Sequence, residues 1–111
     1  MKVTKFGGSS LADAPQIMKV CDIVLSDPER NIVVVSAPGK RFSNDIKVTD
    51  LLINVVNDKL NGGSGEEALN KVISRFSDIA EKLKVPQVVS EIQEKISRIA
   101  NAEYTPFRER D

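Results

Sequence analysis

The chain has 111 residues, room for one small domain with a core of its own and too few for two ordinary ones. Hydrophobic residues make up 41% and charged residues 29%, a globular balance that argues against disorder. Sixteen basic residues against sixteen acidic ones leave no net charge, which removes the electrostatic footprint of a nucleic-acid binder.

No apolar run approaches the roughly 20 residues that span a bilayer. Polar residues from Lys5 onward interrupt any signal-peptide h-region. The single cysteine, Cys21, cannot form an internal disulfide and falls on an apolar helical face. It is expected to be a reduced core residue of a cytoplasmic protein. With no histidine and one cysteine, a transition-metal site is not expected, and histidine-based catalysis is excluded.

Val3 to Phe6 reads as a short strand. Gly7-Gly8-Ser9-Ser10 follows, then a helix signal: Asp13 as cap, Gln16 three residues on, and Pro15 suited to a first turn. Ile17, Val20, Cys21, Val24 and Leu25 repeat at helical spacing until Asp27-Pro28 breaks the pattern. Ile32-Val33-Val34-Val35-Ser36 is a continuous β-branched run, expected to be buried on both faces at the centre of a parallel sheet. Strand, helix and strand make a βαβ unit, whose crossover is right-handed. Ala37-Pro38-Gly39-Lys40-Arg41 leaves this strand as a loop. Thr49 and Asp50 open another helix with Leu51, Leu52, Val55, Val56 and Leu60 on one side.

Asn61-Gly62-Gly63-Ser64-Gly65 is read as a flexible link between segments 1–60 and 66–103. No strand precedes it and Glu66-Glu67 would repel an anion, so it is not taken as a phosphate loop. Ser64 and Glu67 have the spacing of a capping box. Leu69, Val72, Phe76, Ile79 and Leu83 mark the next helix, ended by Lys84-Val85-Pro86. Val88, Val89, Ile92, Ile96 and Ile99 mark the last, and residues 104–111 form an irregular tail. Two strands for four helices is a lopsided α/β arrangement, since a two-stranded sheet is seldom self-sufficient.

The chemistry concentrates at the ends of the two strands. Glycines let backbone N–H groups approach a phosphate, a helix start adds unpaired N–H groups, and Lys5 adds a full positive charge. The alternative is a tight strand-to-helix turn with a surface lysine, and the local pattern leaves both open. Neither the P-loop spacing nor the dinucleotide fingerprint is present. In open α/β sheets ligands sit outside the carboxyl ends of the strands, where the loop from Ser36 to Thr49 would lie beside the glycine turn. Lys40 and Arg41 are read as solvated charge.

Lys5-Phe6-Gly7-Gly8-Ser9-Ser10-Leu11-Ala12-Asp13 resembles the opening signature of aspartokinases. Val33-Val34-Val35-Ser36-Ala37-Pro38-Gly39-Lys40-Arg41 and Lys47-Val48-Thr49-Asp50-Leu51-Leu52 resemble that family's second and third motifs, in the family's order. Acetylglutamate kinase and uridylate kinase share the Lys-x-Gly-Gly logic but not the second loop. The resemblance implies a partial three-layer α/β/α amino-acid-kinase fold, parallel β1-α-β2 followed by three helices. It implies a phosphotransferase carrying the ATP γ-phosphate to the side-chain carboxylate of L-aspartate. The product would be 4-phospho-L-aspartate, an early intermediate toward lysine, threonine and methionine. Lys5 would be the catalytic cation on the ATP phosphates, with Gly7, Gly8 and Ser9 beside them, Ser36 and Thr49 facing the aspartate, and Mg²⁺ accompanying the nucleotide.

Aspartokinases are several times longer, and their acidic Gly-Glu stretch, adenine pocket and regulatory domains have no counterpart here. The chain therefore reads as an N-terminal fragment that self-associates through uncovered apolar surface. A non-catalytic association module, or an amino-acid kinase acting on glutamate or a carbamate, are the competing readings.

Overall fold

A computed structural model describes residues 1–100. The predicted tail at 104–111 and the end of the last helical segment at 101–103 lie outside the described residues. The chain divides into two compact units, Met1–Thr49 and Asp50–Asp111.

The first unit is the expected βαβ. Strand β1 (Val3–Phe6) and strand β2 (Ile32–Val35) pair in parallel, with Val3 opposite Ile32 and Phe6 opposite Val35. Helix α1 (Ala14–Leu25) makes the crossover. Alternation along β1 puts Phe6 on one face and Lys5 on the other. Phe6 is buried with Leu11 and Val20, and Ile17 and Val24 pack against them. These α1 residues recur at a period of three to four, so one stripe of the helix covers the Phe6 side of the sheet.

Asp13 caps α1 as its spacing predicts: Oδ1 accepts from the Gln16 N–H at 3.0 Å. Asp13→Ala should lower stability by about 1 kcal/mol, measured by urea unfolding of the two proteins. Beyond α1, the Asp27 carboxylate accepts from the Lys2 ammonium at 2.6 Å and the Glu29 N–H at 2.9 Å. The Lys2 hydrogen bond is the main reason that the Asp27 pKa lies below its ordinary value.

Two burial expectations fail here. Every residue of β2 is exposed, from Ile32 at 40% to Val35 at 58%. A β-branched run specifies a strand, but its burial depends on what covers the sheet, and among the described residues only two strands pair. Cys21 is exposed as a free thiol. The buried stripe passes through Val20 and Val24, and position 21 turns past its edge.

The second unit carries most of helix α2 (Val48–Leu60), helix α3 (Glu66–Lys82) and helix α4 (Val88–Ala100). Val48, Leu51 and Val55 are buried along one stripe of α2, while Leu52 and Leu60 are exposed. On α3, Val72 and Ile79 are buried as expected, and Arg75 at 4% exposure shares their stripe. Helix α3 packs against α4.

The turn between α2 and α3 is built differently from a capping box. Gly65 is the N-cap at φ 71°, a left-handed conformation that suits glycine, and no side chain caps the helix. The Ser64 hydroxyl accepts from the Glu66 N–H at 3.2 Å. Asp58 holds the turn, its Oδ2 accepting from the Gly65 N–H at 2.6 Å and its carbonyl from the Gly63 N–H at 2.8 Å. Helix α3 ends on Lys84 at φ 62°, where the Val85 N–H reaches the Ala80 carbonyl at 2.8 Å. That is the six-to-one bond of a Schellman closure.

Candidate functional site

All six candidate residues, Lys5, Gly7, Gly8, Ser9, Ser36 and Thr49, lie in the first unit. Lys5 is exposed, one residue before the carboxyl end of β1 and opposite Val34. Its neighbour Phe6 is fixed in the core, so the backbone that carries Lys5 is held from below.

The segment after β1 departs from the expected direct entry into a helix. Gly8–Leu11 forms a 3₁₀ turn, and α1 begins only at Ala14. The α1 N-terminus is occupied by Asp13, so the oriented amides near Lys5 belong to the 3₁₀ turn. Its N-cap, Gly7, is extended at φ −80° and no side chain caps it. The first amides of such a turn have no acceptor within it. The Ser10 N–H donates to the Gly7 carbonyl at 3.1 Å, closing the turn. Around Gly7 there is open space: apart from its chain neighbours, nothing lies within 4 Å of where a Cβ would stand.

The second loop lies directly on the first. The Ser36 N–H donates to the Phe6 carbonyl at 3.2 Å, extending the parallel ladder one residue past β2. The Gly39 N–H donates to the Gly8 carbonyl at 2.8 Å. Pro38 and Gly39 are buried, whereas Ser36 and Lys40 are exposed. The Pro38 carbonyl accepts from the Val48 N–H at 3.0 Å. Val48 opens α2 and is 1% exposed, and Thr49, the next residue, is exposed. Backbone hydrogen bonds thus join both strand ends and the start of α2.

Arg41, read from sequence as solvated charge, is anchored. Its Nε and Nη2 donate to the two carboxylate oxygens of Asp45 at 2.7 and 3.0 Å, and its backbone N–H donates to Oδ2 at 2.9 Å. Its guanidinium also lies over the Phe42 ring, 5.5 Å from the centroid. The Asp45 side chain is only 9% exposed, and the Arg41 side chain holds its pKa well below the usual carboxylate range. A depressed folded-state pKa means that this fork stabilises the loop fully above the ordinary value of 3.8 and loses that contribution as pH falls below it. Asp45→Asn should therefore remove acid sensitivity at this loop. Measured by amide exchange of the 41–45 segment, the wild-type loop should loosen on acidification below pH ~4, and the variant should already be loosened at neutral pH.

Two contributors escaped the sequence reading. Gly39 looked like loop punctuation, because only packing reveals that its missing Cβ matters. Asp45 stands four residues after Arg41, a pairing that is easily read on a helix and not in a loop.

The geometry now has known counterparts. Aspartokinase 3 of Bacillus subtilis is 52% identical over 91 residues, covering 82% of this chain and 20% of that protein. The crystal structure of Clostridium acetobutylicum aspartate kinase superposes with a TM-score of 0.76 at 35% identity, over 91% of this chain and 24% of that one. The chain belongs to the aspartokinase family. A crystal structure of Escherichia coli aspartokinase III in complex with lysine and aspartate also superposes, with a TM-score of 0.69 at 32% identity, over 88% of this chain and 20% of that one. No protein-family model matches the chain. The chain spans about a fifth or less of the length of the curated aspartokinases it matches. Aspartokinases are enzymes, and this segment of the family has an α/β fold, with a parallel two-stranded sheet and four α-helices among the described residues.

Proposed function

We propose that this aspartokinase segment carries the nucleotide-phosphate half of an aspartate kinase site. The complete reaction moves the ATP γ-phosphate to the side-chain carboxylate of L-aspartate. The observation that supports this reading is the junction of the two loops at the carboxyl ends of β1 and β2, with Lys5 exposed beside a turn that no side chain caps.

In this reading Lys5 lies against the ATP phosphates, and the amides of Gly7, Gly8 and Ser9 donate to their oxygens. The open space at Gly7 is where a phosphate approaches without meeting a side chain. Ser36 and Thr49 face the aspartate from the second loop and the start of α2. The attacking carboxylate is already an anionic nucleophile, so no general base is required. The barrier lies in bringing two anions together, which a lysine and preorganised dipoles address. Mg²⁺ would accompany the nucleotide, held largely by its phosphate oxygens.

Both substrates are cytoplasmic metabolites, which is the ground for placing the protein there. Among the described residues, no helix is long and apolar enough to cross a membrane. The exposed valines of β2 favour association between copies.

The test combines MgATP calorimetry with an assay of acyl phosphate formed on aspartate, glutamate or carbamate. The reading expects the folded chain to bind MgATP, and expects any acyl phosphate to form on aspartate. Absence of MgATP binding by the folded chain would leave the association module as the better reading. Turnover on glutamate or carbamate in preference to aspartate would reassign the substrate.

A further inference from the structure

We infer that Gly39 is a positioning residue that sets the spacing between the glycine turn and the loop carrying Ser36. The inference rests on the phosphate reading of the turn and adds a residue that this reading does not itself use.

A Cβ at Gly39 would stand 2.7 Å from the Gly8 carbonyl carbon, 2.9 Å from the Gly8 oxygen and 3.0 Å from the Ser9 nitrogen. All three atoms are backbone, so no side chain can swing aside. The reciprocal position is less severe. A Cβ at Gly8 would meet the Ala37 oxygen at 3.1 Å and the Gly39 Cα at 3.2 Å. Gly39 has no left-handed φ, so its requirement comes from close approach alone. Ordinary contact begins near 3.4 Å, so alanine at 39 must push the loops apart by about 0.7 Å.

That displacement falls where it matters. The Gly39 N–H holds the Gly8 carbonyl, and the adjacent Pro38 carbonyl holds the Val48 N–H beside Thr49. A single buried dipeptide therefore sets the distance from the phosphate turn to both residues proposed to face the acceptor substrate. Misplacement of reacting groups by about 1 Å can cost on the order of 10²-fold in rate. Gly39 touches neither substrate in this scheme and acts through the two loops.

The experiment compares the wild type, Gly8→Ala and Gly39→Ala in amide hydrogen exchange and in ¹⁵N spectra recorded with and without MgATP. In the free proteins, exchange at residue 39 should accelerate at least tenfold in Gly39→Ala and less in Gly8→Ala, with the Val20 amide of α1 unchanged as a report that the first unit stays folded. Unaltered protection at residue 39 in Gly39→Ala would overturn the spacer role without any ligand. With MgATP, wild-type resonances of Ser36 and Gly39 should move together with those of Gly7 and Gly8. In Gly39→Ala the Ser36 response should fall at least fivefold while the turn still saturates. Equal responses in the two proteins would contradict the inference. No response at the turn in the wild type would instead refute the phosphate reading itself. Should Gly39→Ala fail to fold, Gly8→Ala carries the same test in weaker form, with a partial loss at Ser36 expected and full retention counting against it.

Discussion

Lys5→Ala should weaken MgATP binding by roughly 10- to 150-fold and leave the fold intact. The size follows from deleting a charged donor, about 1.5–3 kcal/mol. The fold is spared because Lys5 is exposed and makes no ion pair among the described residues, and such surface changes stay within about 0.5 kcal/mol. Calorimetry and thermal melting of the same preparation separate the two effects. Unchanged affinity would take Lys5 out of the phosphate contact. Lost affinity with a lowered melting temperature would make it a structural residue.

Phe6→Ala has the opposite profile. Phe6 is 8% exposed and is buried with Leu11 and Val20 between sheet and helix. Truncating a buried phenylalanine costs about 3–5 kcal/mol, against about 5–15 kcal/mol for an entire small domain. The first unit should therefore lose most of its stability. Lys5 and Gly7 flank Phe6 in the chain, so the glycine turn should lose its geometry with it. Denaturant unfolding should show a lower midpoint, with Phe6→Leu, which removes fewer buried atoms, costing less than Phe6→Ala. A loss below about 1 kcal/mol in Phe6→Ala would mean that this cluster is not the core of the unit.

Sequence pattern was a good guide wherever the determinant is local. The bounds of β1, the Asp13 cap and the Val20–Val24 stripe follow from side-chain spacing and hydrogen-bonding chemistry, which a short window contains. Burial was less legible. The β2 valines specify a strand, but their exposure depends on elements that pair with or cover the sheet, which no window reports. Cys21 failed for a finer reason, since one step of 100° carries a residue off the edge of a helical stripe.

The Ser64–Glu67 spacing fits a capping box, yet Asp58 satisfies the Gly65 amide from the end of the preceding helix. Competition between a local and a distant acceptor cannot be read from spacing. At the site, the motif residues were identifiable because their chemistry is stated by type. The arrangement that brings these candidates together, one glycine pressed on another across two loops, depends on an absent atom and becomes visible only in three dimensions.

The most direct measurement is a ¹⁵N map of where MgATP binds to the wild-type chain. The backbone amides of Gly7, Gly8 and Ser9 should shift the most, saturate with a single affinity, and lose the response in Lys5→Ala. Shifts centred on the other glycine-rich turn, at 61–65, or no saturable shifts in a folded chain, would contradict a phosphate grip at the end of β1.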